Sequence, residues 1–157
     1  MDTTQVPAGY KVTELGVLPE DWEVVTIGRI ADVKGGKRLP LGKSLVSTPT
    51  PHPYVRIVDV YPGGVALSDI KYVPVDVFPT IRNYRIYSSD LFITVAGTLG
   101  IVGKISEELN GANLTENADR LTNIKCDLDY LLFVMLSPIV QSAIESEIRL
   151  VRSQNLH

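Results

Sequence analysis

The sequence predicts an α/β chain of the α+β kind, rich in β-strand first and helical at its end. Three stretches carry this expectation. Leu91 to Ala96 and Ile101 to Ile105 flank Gly97-Thr98-Leu99-Gly100 as a strand, a glycine turn and a returning strand. Tyr54 to Tyr61 sets Val55, Ile57 and Asp59 against Tyr54, Arg56, Val58 and Val60 in a period of two, the mark of a strand. After Cys126 the apolar residues recur at helical spacing.

In chain order, Met1 to Lys11 is polar, holds Pro7 and Gly9, and is expected as a flexible N-terminal arm. Pro19-Glu20-Asp21 reads as a turn that delivers Trp22 to the core. Thr26 is placed to cap a helical turn through Ile30, and Ala31 to Lys34 follows as a short strand. Lys34 to Ser44 is the densest basic and glycine-rich segment. Its four cations in ten residues, Lys34, Lys37, Arg38 and Lys43, can neutralise phosphates or can form a solvated loop. Ser47 to Pro53 is irregular because of its prolines.

Pro62-Gly63-Gly64 ends the Tyr54 strand as a turn. Lys71 to Val75 reads as extended, Val77 to Ile81 is interrupted by Pro79, and Tyr84 to Tyr87 leads through Ser88-Ser89-Asp90 into the Leu91 strand. Leu91 to Ala96 is too apolar to alternate and is expected to be covered on both faces. Ser106 to Ala112 is a turn, and its adjacent Glu107 and Glu108 point apart on a strand, which argues against a catalytic carboxylate pair. Ala112 to Ile124 is polar, with amides and hydroxyls that can read base edges or simply cap backbone. Asp127 or Asp129 starts one helix. Ser137-Pro138 starts a second, to about Arg149, with an apolar stripe of Ile139, Val140, Ala143, Ile144 and Ile148.

Composition narrows the function classes. The 157 residues suit one core-bearing domain, here 12–149, with 150–157 as an unfinished trailing segment. A net charge of −3 provides no global attraction to nucleic acid, so any such binding needs a local patch. The single cysteine, Cys126, excludes an intramolecular disulfide and reads as an interior thiol in a reducing compartment. No signal segment or membrane-length apolar run is present, so a cytoplasmic chain with no membrane partner is expected. His52 and His157 lack ligand spacing, and no metal site or cofactor is expected.

The glycine tip matches neither common phosphate motif. A P-loop needs four residues between its glycine and Gly-Lys, then Ser or Thr; Gly97 to Gly103 encloses five and Ile105 follows. The dinucleotide fingerprint fails because Gly-x-x-Gly-x-x-Gly opens no helix. The Gly-x-x-Gly of a KH domain joins helices and carries basic residues, unlike Thr98-Leu99. With no nucleophile–base pair or metal set either, a small enzyme is the least favoured reading.

Four ordered pieces instead carry a resemblance. They are Leu18-Pro19-Glu20-Asp21-Trp22 with Ile27-Gly28, Gly35-Gly36 and Pro40; Tyr54 to Val60; Asp90 to Ile93 with Gly97-Thr98-Leu99-Gly100; and Asp129-Tyr130-Leu131-Leu132 through Ser137 to Gln141. In this order and spacing they cover most of 12–149, and the chain resembles the specificity subunits of type I restriction-modification systems, in particular one target recognition domain. Ser89 departs from the glycine common there. The family continues into a further strand, a Pro-Pro-Leu segment and a long helix, none of which this sequence reaches, so a fragment or half-length subunit is implied.

The resemblance implies a mixed, strongly curved β-sheet with short flanking helices, and a non-catalytic DNA reader. Such a domain reads one half of a split target in double-stranded DNA and directs the modification (methyltransferase) and restriction subunits, with a second specificity half-subunit as a further partner. No methyltransferase tetrad or cofactor glycine motif is present, so methyl transfer would belong to a partner. On this reading Lys34, Lys37, Arg38 and Lys43 contact phosphate, and Thr98, Asn113, Thr115, Asn117 and Arg120 contact base edges. The alternative is an interaction module that docks a methyltransferase or antirestriction partner through the stripe on the C-terminal helix, with no DNA reading.

Overall fold

The structure is a computed structural model; it describes residues 6–154, and only the backbone over 147–154. An N-terminal antiparallel hairpin pairs β1 (Tyr10–Thr13) with β2 (Gly16–Pro19). The expected arm therefore ends in paired strand at Tyr10 and Lys11, and its residues 1–5 lie outside the described ones. Trp22 does not reach the core. It stands 49% exposed after the hairpin. The turn α1 (Ile27–Ile30) forms where Thr26 predicts it, although the Thr26 hydroxyl caps no amide.

The remaining strands divide between two four-stranded sheets and a ribbon. β3 (Asp32–Gly35), β4 (Pro53–Val55), the ribbon β5 (Val60–Tyr61) with β6 (Gly64–Val65), and β7 (Lys71–Tyr72) come first. The turn α2 (Phe78–Ile81), β8 (Arg85–Ile86), β9 (Leu91–Thr94) and β10 (Val102–Gly103) follow. β11 (Ala112–Leu114), β12 (Ala118–Thr122), α3 (Leu128–Leu136) and α4 (Pro138–Gln154) complete the described chain. The first sheet is antiparallel in the order β10-β9-β12-β3. The second is mixed, β7-β4-β11-β8, with β4 and β11 parallel. The class is mixed α/β, in several small sheets with no closed barrel among the described residues, where a single curved sheet was expected.

Local chemistry explains the division. Asp59, buried, accepts from the Arg56 amide at 3.0 Å, from its Nε at 3.1 Å and from Nη2 at 2.9 Å. This folds Ile57–Asp59 into a 3-10 turn, so the long Tyr54 strand breaks into β4 and β5. Phe78–Ile81 likewise becomes a helical turn, because Pro79 falls in its first turn, where no amide donor is needed. β11 leaves the second sheet and, three residues on, β12 enters the first.

Side-chain alternation then builds three apolar layers. Val55, Ile86, Leu114 and Ala112 of the second sheet meet Phe92 and Ala118 of the first in the central layer. On the far side of the first sheet, Leu91, Leu121 and Val102 pack on Leu131 and Met135 of α3. Outside the second sheet lie Tyr54, Val73, Val77 and Ile81, with Leu39 and Leu45 packed on them.

α3 starts at Asp127, whose carboxylate accepts the Tyr130 amide at 2.8 Å. It is apolar on its outer side too, with Tyr130 57% and Phe133 73% exposed. Of the expected stripe, Val140 packs on the α3 core and Ile144 lies near Gly100 of the glycine tip, lining an open groove with Leu99, whereas Ile139 is exposed. Ile148 lies outside the described side chains. Of the expected trailing segment, 150–154 continue α4 and 155–157 lie outside the described residues. Cys126 is exposed on the loop before α3, which corrects the interior thiol. Among the described residues no single helix is long and apolar enough to cross a membrane; α3 and the first half of α4 would pass together but bend by 59° at their junction.

Candidate functional site

The basic segment leaves the first sheet at the same end as the glycine tip, because β3 and β9 run in one direction on either side of β12. Its path is set by close approach. A Cβ on Gly36 would stand 1.9 Å from the Thr115 carbonyl oxygen, so only glycine passes. The Gly36 amide donates to Ala118 O at 3.2 Å and the Lys37 amide to Leu114 O at 2.8 Å. The buried Tyr54 hydroxyl donates to Lys37 O at 2.8 Å. Burial pushes the Tyr54 phenol up to about 12, which keeps that donor protonated.

Lys34 on the edge strand β3 and Arg85 on the edge strand β8 are joined by Arg120 of the interior strand β12 and by Lys37 just beyond β3. Lys34 on β3 stands directly opposite Arg120 on β12. The Arg120 guanidinium reaches across to β8 and donates to the carbonyls of Arg85 and of Asn83, the latter at 3.4 Å. Arg85 lies 5.6 Å from the Phe78 ring centroid and 5.7 Å from that of Tyr87, and Lys37 Nζ lies 5.8 Å from that of Tyr84. His52 stacks on Phe78 at 3.6 Å, and burial, with Arg85 near it, holds its imidazole below the usual histidine range.

These cations share one property. Among the described residues, none of Lys34, Lys37, Arg85 and Arg120 has a carboxylate partner, whereas Arg38, Arg56, Lys71 and Lys104 each have one. Carbonyl acceptors orient a guanidinium without cancelling its charge. Like charges directly opposed on paired strands cost stability, and an anion laid between them would relieve that cost. The seam is therefore a local positive, aromatic-lined surface on a chain whose net charge is −3. No family model and no curated protein matches this chain.

The predicted contact residues separate into groups. Lys34 and Lys37 lie in the seam. Arg38 is exposed but paired with Glu116 at 2.7 Å. Lys43 is exposed on a turn closed by its own amide to Pro40 O at 3.0 Å. Thr98 is exposed on the tip, across β9 and β12 from β3. There Gly97 lies against Ile57 and Gly100 against Ile144, and the Thr98 carbonyl accepts from Thr94.

Two base-edge assignments are corrected. Asn113 is 1% and Thr115 5% exposed, so neither can touch a base. Asn113 instead donates to Ile81 O at 2.8 Å, and Thr115 accepts the Asn117 amide at 3.2 Å. Asn117 is half-buried, its carbonyl accepting the Val95 amide at 2.8 Å. Arg120 also changes role, since its Nη atoms are engaged by Asn83 and Arg85, which takes up the fork a guanine would need. Sequence reading missed Arg82, Asn83, Tyr84 and Arg85. Their signal was cations interleaved with an amide and an aromatic ring, obscured because this run reads as the start of a strand.

Proposed function

We propose that this chain is a non-catalytic, sequence-specific DNA reader, the specificity component of a type I restriction-modification system, with methylation and cleavage performed by partner subunits. The observation that carries the DNA reading is the seam of uncompensated cations Lys34, Lys37, Arg85 and Arg120, interleaved with Tyr84, Tyr87 and Phe78. Phosphate contacts supply affinity, and neighbouring loops supply base contacts. The restriction-modification assignment rests on the ordered sequence pieces described above.

Salt-titrated binding of the full chain to random duplex DNA tests this reading. Affinity should fall linearly with log salt, with a slope of about −0.9 per phosphate contact. Reversing Lys34, Lys37 and Arg85 to glutamate should abolish binding. Duplex binding that is absent, or unmoved by that triple reversal, would overturn it.

A second reading draws on Tyr130 and Phe133, exposed on a helix that is apolar on both sides. They suit docking of a methyltransferase subunit without DNA contact. A methyltransferase complex lost with Phe133→Ser but kept after the triple reversal favours it.

A further inference from the structure

The turn from Ile81 to Arg85 is fixed at every carbonyl. Ile81 O accepts the Tyr84 amide at 3.0 Å and Asn113 Nδ2 at 2.8 Å. Arg82 O accepts Arg85 Nε at 2.8 Å, and Asn83 O accepts both Nη atoms of Arg120 at 3.4 Å. Tyr84 O accepts the Leu114 amide at 3.0 Å and Asn113 Nδ2 at 3.4 Å, and Arg85 O accepts Arg120 Nη1. Two side chains from elsewhere in the chain, Asn113 and Arg120, and that of Arg85 within it thus hold one short exposed turn. The side chains it displays are treated differently. Arg82 and Asn83 are exposed, and among the described residues neither side chain has a hydrogen-bond or ion-pair partner.

Holding this turn has a cost that the fold tolerates. Asn113 Oδ1 is buried and, among the described residues, meets no hydrogen-bond donor, and an unmet buried acceptor is destabilising. A turn that served only to connect α2 to β8 would not need a buried amide beneath it and a guanidinium beside it. Preorganisation of a contact loop does need them, because a fixed backbone removes the ordering cost of binding.

We infer that the Ile81–Arg85 turn is a preformed DNA-reading element in which the Asn83 amide contacts a base edge, Arg82 contacts phosphate, and Asn113 and Arg120 are positioning residues. The inference rests on the DNA-binding reading above. A carboxamide offers an acceptor beside a donor, the complement of adenine N6 and N7 in the major groove, so an A·T pair is the base pair read. The neighbouring cations Lys37, Arg85 and Arg120 would hold the backbone of the same duplex.

The test selects bound fractions of a random duplex library with the parent chain and with Asn83→Ala, Arg82→Ala and Arg120→Lys, alongside amide hydrogen exchange over 81–85. Asn83→Ala should lower affinity about tenfold for duplexes with adenine at one position, and with it the preference for adenine there, while the salt slope is unchanged. Arg82→Ala should flatten the salt slope by about one contact and leave preference intact. Arg120→Lys keeps the charge but cannot bridge two carbonyls, so exchange over 82–85 should rise and preference blur at the position that Asn83→Ala affects. A parent-like preference in Asn83→Ala overturns the inference while DNA binding stands. A parent chain with no salt-dependent duplex binding removes the functional reading itself, and the inference with it.

Discussion

The hydroxyl of Tyr54, buried under the second sheet, donates to the carbonyl of Lys37 at 2.8 Å. This single bond connects an apolar layer to the first cation beyond the paired glycines. Tyr54→Phe keeps the ring and removes the donor, and should cost about 1 kcal/mol in denaturant unfolding. The bond also has a pH window. The phenol titrates at about 12 in the folded chain against 10.0 for the free group. Its stabilisation is therefore fully present below pH 10.0 and is lost as pH rises through about 12. Ultraviolet titration of tyrosinate should show one late component, absent in Tyr54→Phe; a single shared titration of all tyrosines would contradict the assignment.

Gly36 has no room for any side chain, since its Cβ would meet the backbone oxygens of Thr115 at 1.9 Å and Leu114 at 2.4 Å. Backbone cannot rotate away as a side chain can. Gly36→Ala should cost about 3 kcal/mol or more, seen as a lower urea midpoint. Gly42→Ala, with nothing within 4 Å but a φ of +83°, should cost only about 1 kcal/mol. Equal midpoints for the two variants would show that the crossing is not tight.

Lys34 and Arg120 oppose each other with like charge, so stability and binding should respond in opposite directions. Lys34→Ala should raise the unfolding midpoint slightly while lowering affinity for duplex DNA and its salt slope. A variant that loses stability and binding together would indicate a structural role for Lys34.

Cys126 is exposed and unpaired by any disulfide. A thiol reagent should modify one group per chain under native conditions, with far-ultraviolet circular dichroism unchanged. Modification only after denaturant is added would place the loop before α3 wrongly.

The parts of this fold legible in the sequence are those where local pattern and burial agree. Leu91 to Ala96 announces a strand covered on both faces; the strand ends at Thr94 with Val95 exposed, and up to there it is covered because Phe92 enters the central layer while Leu91 faces α3. Asp127 or Asp129 announces a helix start, and Asp127 is the one that caps it. The failures occur where a side chain redirects the backbone from a distance. Alternation over Tyr54 to Tyr61 cannot reveal that Asp59 turns back onto Arg56. Asn113 looks like a base reader because an amide that holds a turn from beneath is the same residue as one that reaches out; only burial separates them. Arg82 and Asn83 went unnoticed for the converse reason, since their interleaving with Tyr84 and Arg85 reads as the start of a strand and only exposure sets them apart.

The edges of the two sheets carry a second consequence. β3 and β8 each end a sheet; β3 leaves a row of amides and carbonyls unpaired by a further strand, whereas on the two-residue β8 the Arg85 carbonyl is already taken by Arg120. Lys34 and Arg85, stationed on them, make the approach of another chain's strand costly. Stripping these charges to weaken DNA contact would also leave the β3 border adhesive, so such variants should be checked for self-association by light scattering before any change in DNA affinity is interpreted.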